Sequence, residues 1–161
     1  MKDLVPQVDI PVEVLVYGAT CIHQSKRPLL QNYYHYTQQT EEKNHKRGLF
    51  LSEPKKEETH YSSYEDSHGT HIFANNDLNL MEQLLELTEH GYHMWKLDGL
   101  YTRGTDFVDI AALFAQAKAA IETDQFTTAD AMHLSTQIQA LHPQNRGLDT
   151  GFYSFDRDDI K

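Results

Sequence analysis

VEVLVYGATCIHQSKRPLLQ, the stretch from Val12 to Gln31, decides the fold class predicted for this chain. It begins as a buried strand, because valine occupies every second position and β-branched residues dominate. The strand ends at Gly18, where glycine lets the backbone turn tightly. Cys21 and a dense polar cluster follow, and in α/β proteins the loop that leaves the C-terminal end of a strand is where ligands bind. The stretch therefore predicts an α/β fold with a binding loop after its first strand.

Composition places the chain among single-domain proteins. It has 161 residues, 39% of them hydrophobic, and a mean hydropathy of −0.63. No apolar run approaches the roughly 20 residues needed to span a bilayer, and the N-terminus lacks an apolar signal core. Its one cysteine excludes an internal disulfide framework. We therefore expect a cytoplasmic protein with no membrane contact.

The charge balance argues against strong nonspecific binding of nucleic acid. The formal net charge is −10, and such binding needs basic surface to displace counterions. Lys26, Arg27, Lys43, Lys46 and Arg47 nevertheless lie in one part of the sequence. Contact with nucleic acid through that part stays open.

Three strand-then-helix units are predicted along the chain. The strands are Val12–Tyr17, Thr70–Ala74 and His93–Leu97. The helices are Asp77–Glu89, Thr105–Ile121 and Thr127–Leu141. Strands that alternate with helices imply a parallel sheet with right-handed crossovers.

Local signals fix the ends of these helices. Asn76 or Asp77 is expected to cap the first, and Gly91 to end it. Thr127 and Asp130 have the spacing of a capping box at the start of the last.

Residues 37–69 differ from the rest, because they are rich in polar and charged side chains. We predict a long polar insertion that carries a short hairpin and is mobile in parts. Its role is left open between a lid or binding element and a solvated insertion.

The residues around the first strand resemble the signature of the U32 peptidase family, also known as the collagenase-like protease family. Five positions match that signature: Glu13, Gly18, Ala19, Cys21 and Leu30. Five others depart from it: Leu15, Thr20, Lys26, Pro28 and Gln31. The match alone is therefore partial.

Three later segments extend the resemblance over nearly the whole chain. They are the segment from Thr70 to Leu78, the segment Trp95–Gly99, and the run from Asn145-Arg146 to Tyr153. Their order and spacing are similar to those of the short bacillus-type members, which carry the name of proteases. The resemblance implies a partial (βα) TIM-type barrel, with residues 1–161 as the C-terminal part of the barrel domain.

Several family members hold an iron–sulfur cluster through four cysteines. Carried over by position, Cys21 matches the first ligand, while Pro28 and Asn79 stand where other cysteines occur. Because one thiolate cannot hold a cluster, we expect no cofactor. Cys21 is then either a nucleophile activated by nearby cationic groups or a buried, inert cysteine.

The predicted site lies where strands end. Lys96 and Asp98 alternate onto one face of the third strand, and Arg27 lies beside Cys21. We expect Arg27, Lys96 and Asp98 to bind a carboxylate or phosphate, with Cys21 and Asp98 as candidate catalytic residues. The alternative for Lys96 and Asp98 is a structural ion pair at the barrel rim.

The histidines and one aromatic run are two further sets of candidate binding residues. The ten histidines include no HExxH motif and no tight cluster with cysteine, so we expect no metal site. The aromatic run from Tyr33 to Tyr36 either stacks on bases or packs a loop against the barrel.

The resemblance implies three functions of different classes. Similar members are linked to prephenate-dependent hydroxylation of wobble uridine in tRNA. Alternatively, the chain is a truncated fragment or non-catalytic subunit that self-associates or partners a cluster-bearing U32 paralogue. The third function, peptidase activity, rests on the family name alone, and we expect this chain alone to be inactive.

Overall fold

The computed structural model of the protein describes residues 5–39 and 49–153, which form two compact units. Unit 1 comprises Met1–Ala19 and Asn76–Lys161, and unit 2 comprises Thr20–Asn75. The strands are β1 Glu13–Gly18, β2 Cys21–Ser25, β3 Leu49–Glu53, β4 Lys56–Asp66, β5 Gly69–Phe73, β6 Asn76–Asn79, β7 Met94–Leu97 and β8 Gly147–Asp149. The α-helices are α1 Leu29–Tyr36, α2 Leu84–Glu89, α3 Thr105–Glu122 and α4 Thr128–Leu141.

Unit 1 is built on a mixed sheet in the order β7-β1-β6-β8. Strand β1 runs parallel to β7 and antiparallel to β6, and β6 runs parallel to β8. The C-terminal ends of β1 and β7 therefore meet at one edge of the sheet, and the start of β6 extends past the end of β1. This edge positions the site described below.

The core of unit 1 lies between this sheet and helices α2, α3 and α4. Helix α4 begins at a capping box, in which Thr127 and Asp130 each bond to the other's backbone N–H. A 3-10 turn, Met81–Gln83, leads into α2, and Gly91 follows that helix with a φ of 87°. The buried apolar residues are Val14, Val16, Tyr17, Leu80, Met81, Leu84, Leu87, Tyr92, Ile110, Phe114, Ala117, Phe126, Ala131, Leu134 and Ile138.

Unit 2 is an antiparallel sheet in the order β2-β5-β4-β3, with α1 against one of its faces. The N-terminal N–H groups of α1 bond to side chains of that sheet. Leu29 N donates to Thr70 Oγ1 at 2.8 Å, and Leu30 N donates to Glu65 Oε2 at 2.9 Å. Because orphan donors at a helix start need acceptors, these bonds fix α1 on the sheet.

The predicted partial TIM-type barrel, with its parallel arrangement of three strands, is wrong. Strands β1 and β7 are parallel as expected, but the strand predicted at Thr70–Ala74 is β5, an antiparallel strand of the other sheet. The physical reason is the turn before it. Asp66 pairs with Gly69 across a two-residue loop, and Gly69 has a φ of 117°. Such a short loop joins antiparallel neighbours, whereas parallel strands need a long crossover.

The helix predicted at Asp77–Glu89 is also partly wrong. Its first three residues belong to strand β6, and α-helical structure begins only at Leu84. Asn76 and Asp77 are therefore strand residues that pair with β8. The buried carboxylate of Asp77 bonds to a distant arginine instead of capping a helix.

Other predictions of local structure are confirmed. The first and third strands, α3 and α4 lie within one or two residues of their predicted bounds. A hairpin is present in the predicted insertion, where β3 pairs with the much longer β4. The part of that insertion at residues 40–48, with Lys43, Lys46 and Arg47, lies outside the described residues. Among residues 5–39 and 49–153, no helix is long and apolar enough to cross a membrane.

Candidate functional site

The candidate site lies at the edge where β1 and β7 end. Asp98 N donates to the Tyr17 carbonyl at 2.9 Å, which holds the two strand ends together. Gly18 has a φ of 110°, and a Cβ at this position would collide with the backbone carbonyl of Asp98. Glycine is therefore required for this close approach. Asp98 Oδ1 accepts a bond from Leu100 N at 2.8 Å, which shapes the loop that follows β7.

A buried ion pair lies at the same edge. Asp77 is 1% exposed, and the Arg146 side chain is 5% exposed. Arg146 Nη2 donates to Asp77 Oδ1 at 2.6 Å, and its Nε donates to Oδ1 at 3.0 Å and to Oδ2 at 3.1 Å. The guanidinium also stacks on Tyr101, with 4.0 Å between its central carbon and the ring centroid. The pair thus joins β6, the start of β8 and the loop after β7.

His142 extends this pair into a polar network. Its Nε2 lies 3.7 Å from Asp77 Oδ2, and its Nδ1 shares a hydrogen bond of 2.8 Å with the Tyr17 hydroxyl. The same hydroxyl lies 2.8 Å from Thr102 Oγ1. We call these five residues, Asp77, Arg146, His142, Tyr17 and Thr102, the edge cluster. It links four separate segments of unit 1 through polar groups.

Burial sets the protonation states in the edge cluster. It lowers the pKa of His142 below its ordinary value of 6.5, against the opposing effect of the Asp77 carboxylate. It also raises the pKa of the Tyr17 hydroxyl. Both groups are therefore neutral near pH 7, because burial disfavours charged forms. The cluster holds one negative and one positive charge, which are paired with each other.

The chemistry of the edge cluster is that of a rigid support. The Asp77 carboxylate is engaged by two guanidinium nitrogens, so it is not a free general base. Instead the cluster fixes the end of β1, the start of β6 and the loop after β7. Lys96, which is exposed, lies in β7 close to this edge, and Asp98, which is half-buried, directly follows the strand.

The structure distributes the predicted site residues over both units. Lys96 and Asp98 lie at the end of β7 in unit 1, whereas Cys21 and Arg27 lie in unit 2. A joint site of these residues stays a prediction. Cys21 is exposed, and its thiol donates to the His23 carbonyl at 3.4 Å. The expectation that Cys21 is buried is therefore wrong, and its role as a nucleophile stays a prediction.

The residues present do not fit an iron–sulfur cluster of the kind that the family resemblance suggests. The chain has one cysteine, and a cluster is usually held by four thiolates. Pro28, directly before α1, and Asn79, which bonds to Ser135, are not cysteines, so neither position supplies a thiolate. In the described part of the chain, no group of three or more His, Cys, Asp or Glu side chains is placed to hold a metal ion.

Sequence reasoning missed the edge cluster. Asp77 and Arg146 both lie in segments that resemble the family, but the local pattern favours Asn76 or Asp77 as a helix cap. The available signal was a carboxylate directly after a strand-like segment, together with an arginine in a second short motif. Their pairing over 69 residues of sequence could not be read from local pattern.

Comparisons with known proteins find one family model and one relative that match most or all of this chain. A family model described as Peptidase family U32 matches residues 1–161. The protein named "tRNA hydroxylation protein P2" from Bacillus subtilis (strain 168) is 31% identical over 149 residues. That alignment covers 90% of this chain and 48% of the relative, so the chain spans about half the length of the relative it matches. No solved structure matches the chain.

Proposed function

The chain belongs to peptidase family U32, as the sequence resemblance suggested, and from this membership we propose that it contributes to the hydroxylation of tRNA. The observation that carries the proposal is the 31% identity to a protein named for tRNA hydroxylation, over 90% of this chain. The alignment covers 90% of this chain and therefore includes residues of both units, so the shared part is more than one motif. The modified nucleoside is wobble uridine, as the family resemblance predicts.

Lys96 and Asp98 in unit 1, and Arg27 in unit 2, are the residues proposed to bind anionic groups of a substrate or co-substrate. Lys96 and Arg27 are exposed cations, and Asp98 follows β7 at the edge fixed by the edge cluster. A bond from either cation to a carboxylate or phosphate is strong, because it is charge-assisted. Asp98 is then the residue that orients Lys96 or accepts a proton.

The edge cluster supports this role through position. Binding groups must be held close to productive geometry by residues that are themselves fixed. The bidentate bonds from Arg146 to Asp77 and the stacking on Tyr101 supply that rigidity beside the loop after β7.

Two further partners are proposed. Transfer RNA is the macromolecular substrate in the context of a longer protein. The proposed protein partner is a U32 paralogue or a second copy of this chain. Sedimentation of the purified chain, alone and with such a paralogue, measures the second proposal directly.

A chimaera tests the proposed function. In B. subtilis lacking tRNA hydroxylation protein P2, the half of that protein that aligns with this chain is replaced by this chain. Total tRNA is digested, and hydroxylated uridine is quantified by liquid chromatography and mass spectrometry. We expect the chimaera to restore the modified nucleoside.

The outcome is decided against two controls. The intact relative gives full restoration, and its isolated other half gives the background level. A chimaera that accumulates to the level of the intact relative, yet gives only background hydroxylation, would show that this chain does not serve the proposed function.

A further inference from the structure

The outer face of α1 presents aromatic side chains beside two exposed cations. Helix α1 packs Leu30 and Tyr34 inward, where both are buried. On its outer side, Tyr33 is 57% exposed and Tyr36 is 87% exposed. Lys26 and Arg27 precede Pro28, the residue before the helix, and both are exposed. We call Lys26, Arg27, Leu29, Tyr33 and Tyr36 the α1 face.

We propose that the α1 face binds unpaired RNA, with Tyr33 and Tyr36 stacking on bases and Lys26 and Arg27 contacting phosphates. This inference rests on the proposed function, because it names where tRNA contacts the chain. Aromatic side chains stack on unpaired bases in many RNA-binding modules, and cations beside them follow the backbone.

The charge pattern of the sequence favours this occupant. From Val14 to Thr40 the chain contains no Asp or Glu, although 24 of its 161 residues are acidic. Unit 2 contains seven Lys and Arg against seven Asp and Glu, whereas unit 1 contains seven against seventeen. The whole net charge of −10 therefore belongs to unit 1. A polyanion is repelled least by the segment that includes the α1 face.

An acidic residue that contacts α1, Glu65, has its carboxylate held by hydrogen bonds on the inner side of the helix. Glu65 is buried, and its carboxylate accepts bonds from Leu30 N, Gln31 N and the Thr70 hydroxyl at 2.9, 3.3 and 2.6 Å. This carboxylate faces the start of the helix from the sheet, so it does not oppose an anion on the outer side. The same bonds hold α1 in place.

One ring of the α1 face, that of Tyr33, is also preorganised. The Tyr33 ring packs against Tyr34 edge to face, with 5.8 Å between ring centroids. Because Tyr34 is buried, this contact anchors Tyr33 while most of its surface stays accessible. A fixed ring loses little conformational entropy when a base stacks on it.

The size of the patch argues against a protein partner as its occupant. A stable protein interface buries about 800 Å² on each side. Three apolar side chains on two turns of a helix, Leu29, Tyr33 and Tyr36, offer only a part of that area. Single bases need no more than one ring each.

Binding of the purified chain to tRNA tests the proposal. Dissociation constants are measured for an unmodified tRNA transcript and for a fully paired RNA duplex of equal length, at about 0.1 M salt. We expect Tyr33→Leu combined with Tyr36→Leu to weaken tRNA binding by at least about tenfold, since stacking is sequence-tolerant but needs a ring. The matched control, Tyr33→Phe combined with Tyr36→Phe, keeps the rings and should bind within about twofold of the wild type.

The cations give a second readout. Lys26→Gln combined with Arg27→Gln should reduce the slope of log affinity against log salt by about 1.4, or about 0.7 for each phosphate contact to a single strand. All variants change exposed side chains, and circular dichroism checks that they are folded. Equal affinity for the duplex and tRNA, or wild-type affinity in the leucine variant, would overturn the inference. An absence of tRNA binding by the wild-type chain would overturn it as well.

The two proposals fail separately. If the leucine substitutions leave hydroxylation by the chimaera unchanged and the purified variant binds tRNA normally, the α1 face is not the contact but the function stands. If the purified chain binds RNA through the α1 face while the folded chimaera gives background hydroxylation, the surface stands and the proposed function fails.

Discussion

The substitution Arg146→Met should destabilise unit 1 strongly. It removes two guanidinium nitrogens from Asp77, a carboxylate that is 1% exposed. Breaking a buried ion pair by removing one partner costs about 3–5 kcal/mol, because the other charge stays buried and uncompensated. The neutral His142 ring, 3.7 Å away, lies too far to replace the lost bonds.

Urea unfolding measures this cost within unit 1. The chain has one tryptophan, Trp95, which is in β7, so its fluorescence reports the sheet that contains the edge cluster. With a denaturant slope of about 2 kcal/mol per M, the expected loss moves the midpoint by about 2 M.

Two variants make the measurement specific. Lys118→Met removes a cation at the exposed surface, 5.9 Å from the Trp95 ring centroid, and should cost less than about 1 kcal/mol. Asp77→Asn added to Arg146→Met removes the orphaned charge and should recover part of the loss. A loss below about 1 kcal/mol for Arg146→Met alone would refute the reasoning, because removing one partner of a buried ion pair should cost more than that.

Three further predictions concern the same unit. Burial lowers the pKa of His142 below 6.5, so on acidification the unfolded chain takes up a proton that the folded chain resists. The free energy of unfolding should therefore fall between about pH 7 and about pH 5.5. When the same free energy is measured against pH for His142→Gln, the fall should be smaller by up to about 1.4 kcal/mol per pH unit. Gly18→Ala should cost about 1–3 kcal/mol from backbone strain alone and more from the collision with Asp98, whereas Gly104→Ala, with open space around it, should cost less in the same urea assay. Thr127→Ala should cost about 1 kcal/mol by loss of the capping box, and thermal unfolding of Thr127→Ser should stay close to the wild type.

Local patterns in the sequence predicted local structure well. The valines of β1, the apolar spacing of α3 and the capping box of α4 depend on residues within a few positions of one another. Such signals survive in any tertiary context that buries the same face.

Pairing over long distances could not be predicted in the same way. The sequence places β5 correctly but not its sheet, because the partner of a strand depends on the turn that precedes it. Asp77 illustrates the same difficulty, since aspartate suits both a helix cap and a buried ion pair. Only the position of Arg146 in three dimensions decides between the two.

The structure distinguishes between the two roles that the sequence leaves open for the aromatic run. The sequence is compatible with base stacking and with packing for Tyr33 to Tyr36, and helical geometry assigns the two roles to different residues. Tyr34 packs inward, while Tyr33 and Tyr36 lie on the outer face. Side chains three or four positions apart share a helix face, so a run of adjacent rings cannot serve one role.

The hydroxylated uridine content of tRNA from B. subtilis cells that carry the chimaera tests the central claim most directly. The account predicts that the wild-type chimaera restores the nucleoside and that the chimaera with Lys96→Ala and Arg27→Ala gives less than about a tenth of that amount. The chimaera with Lys118→Ala, an exposed cation away from the edge, should restore it fully. Background levels from a wild-type chimaera that accumulates normally would contradict the function, and full restoration by the Lys96→Ala and Arg27→Ala chimaera would contradict the site.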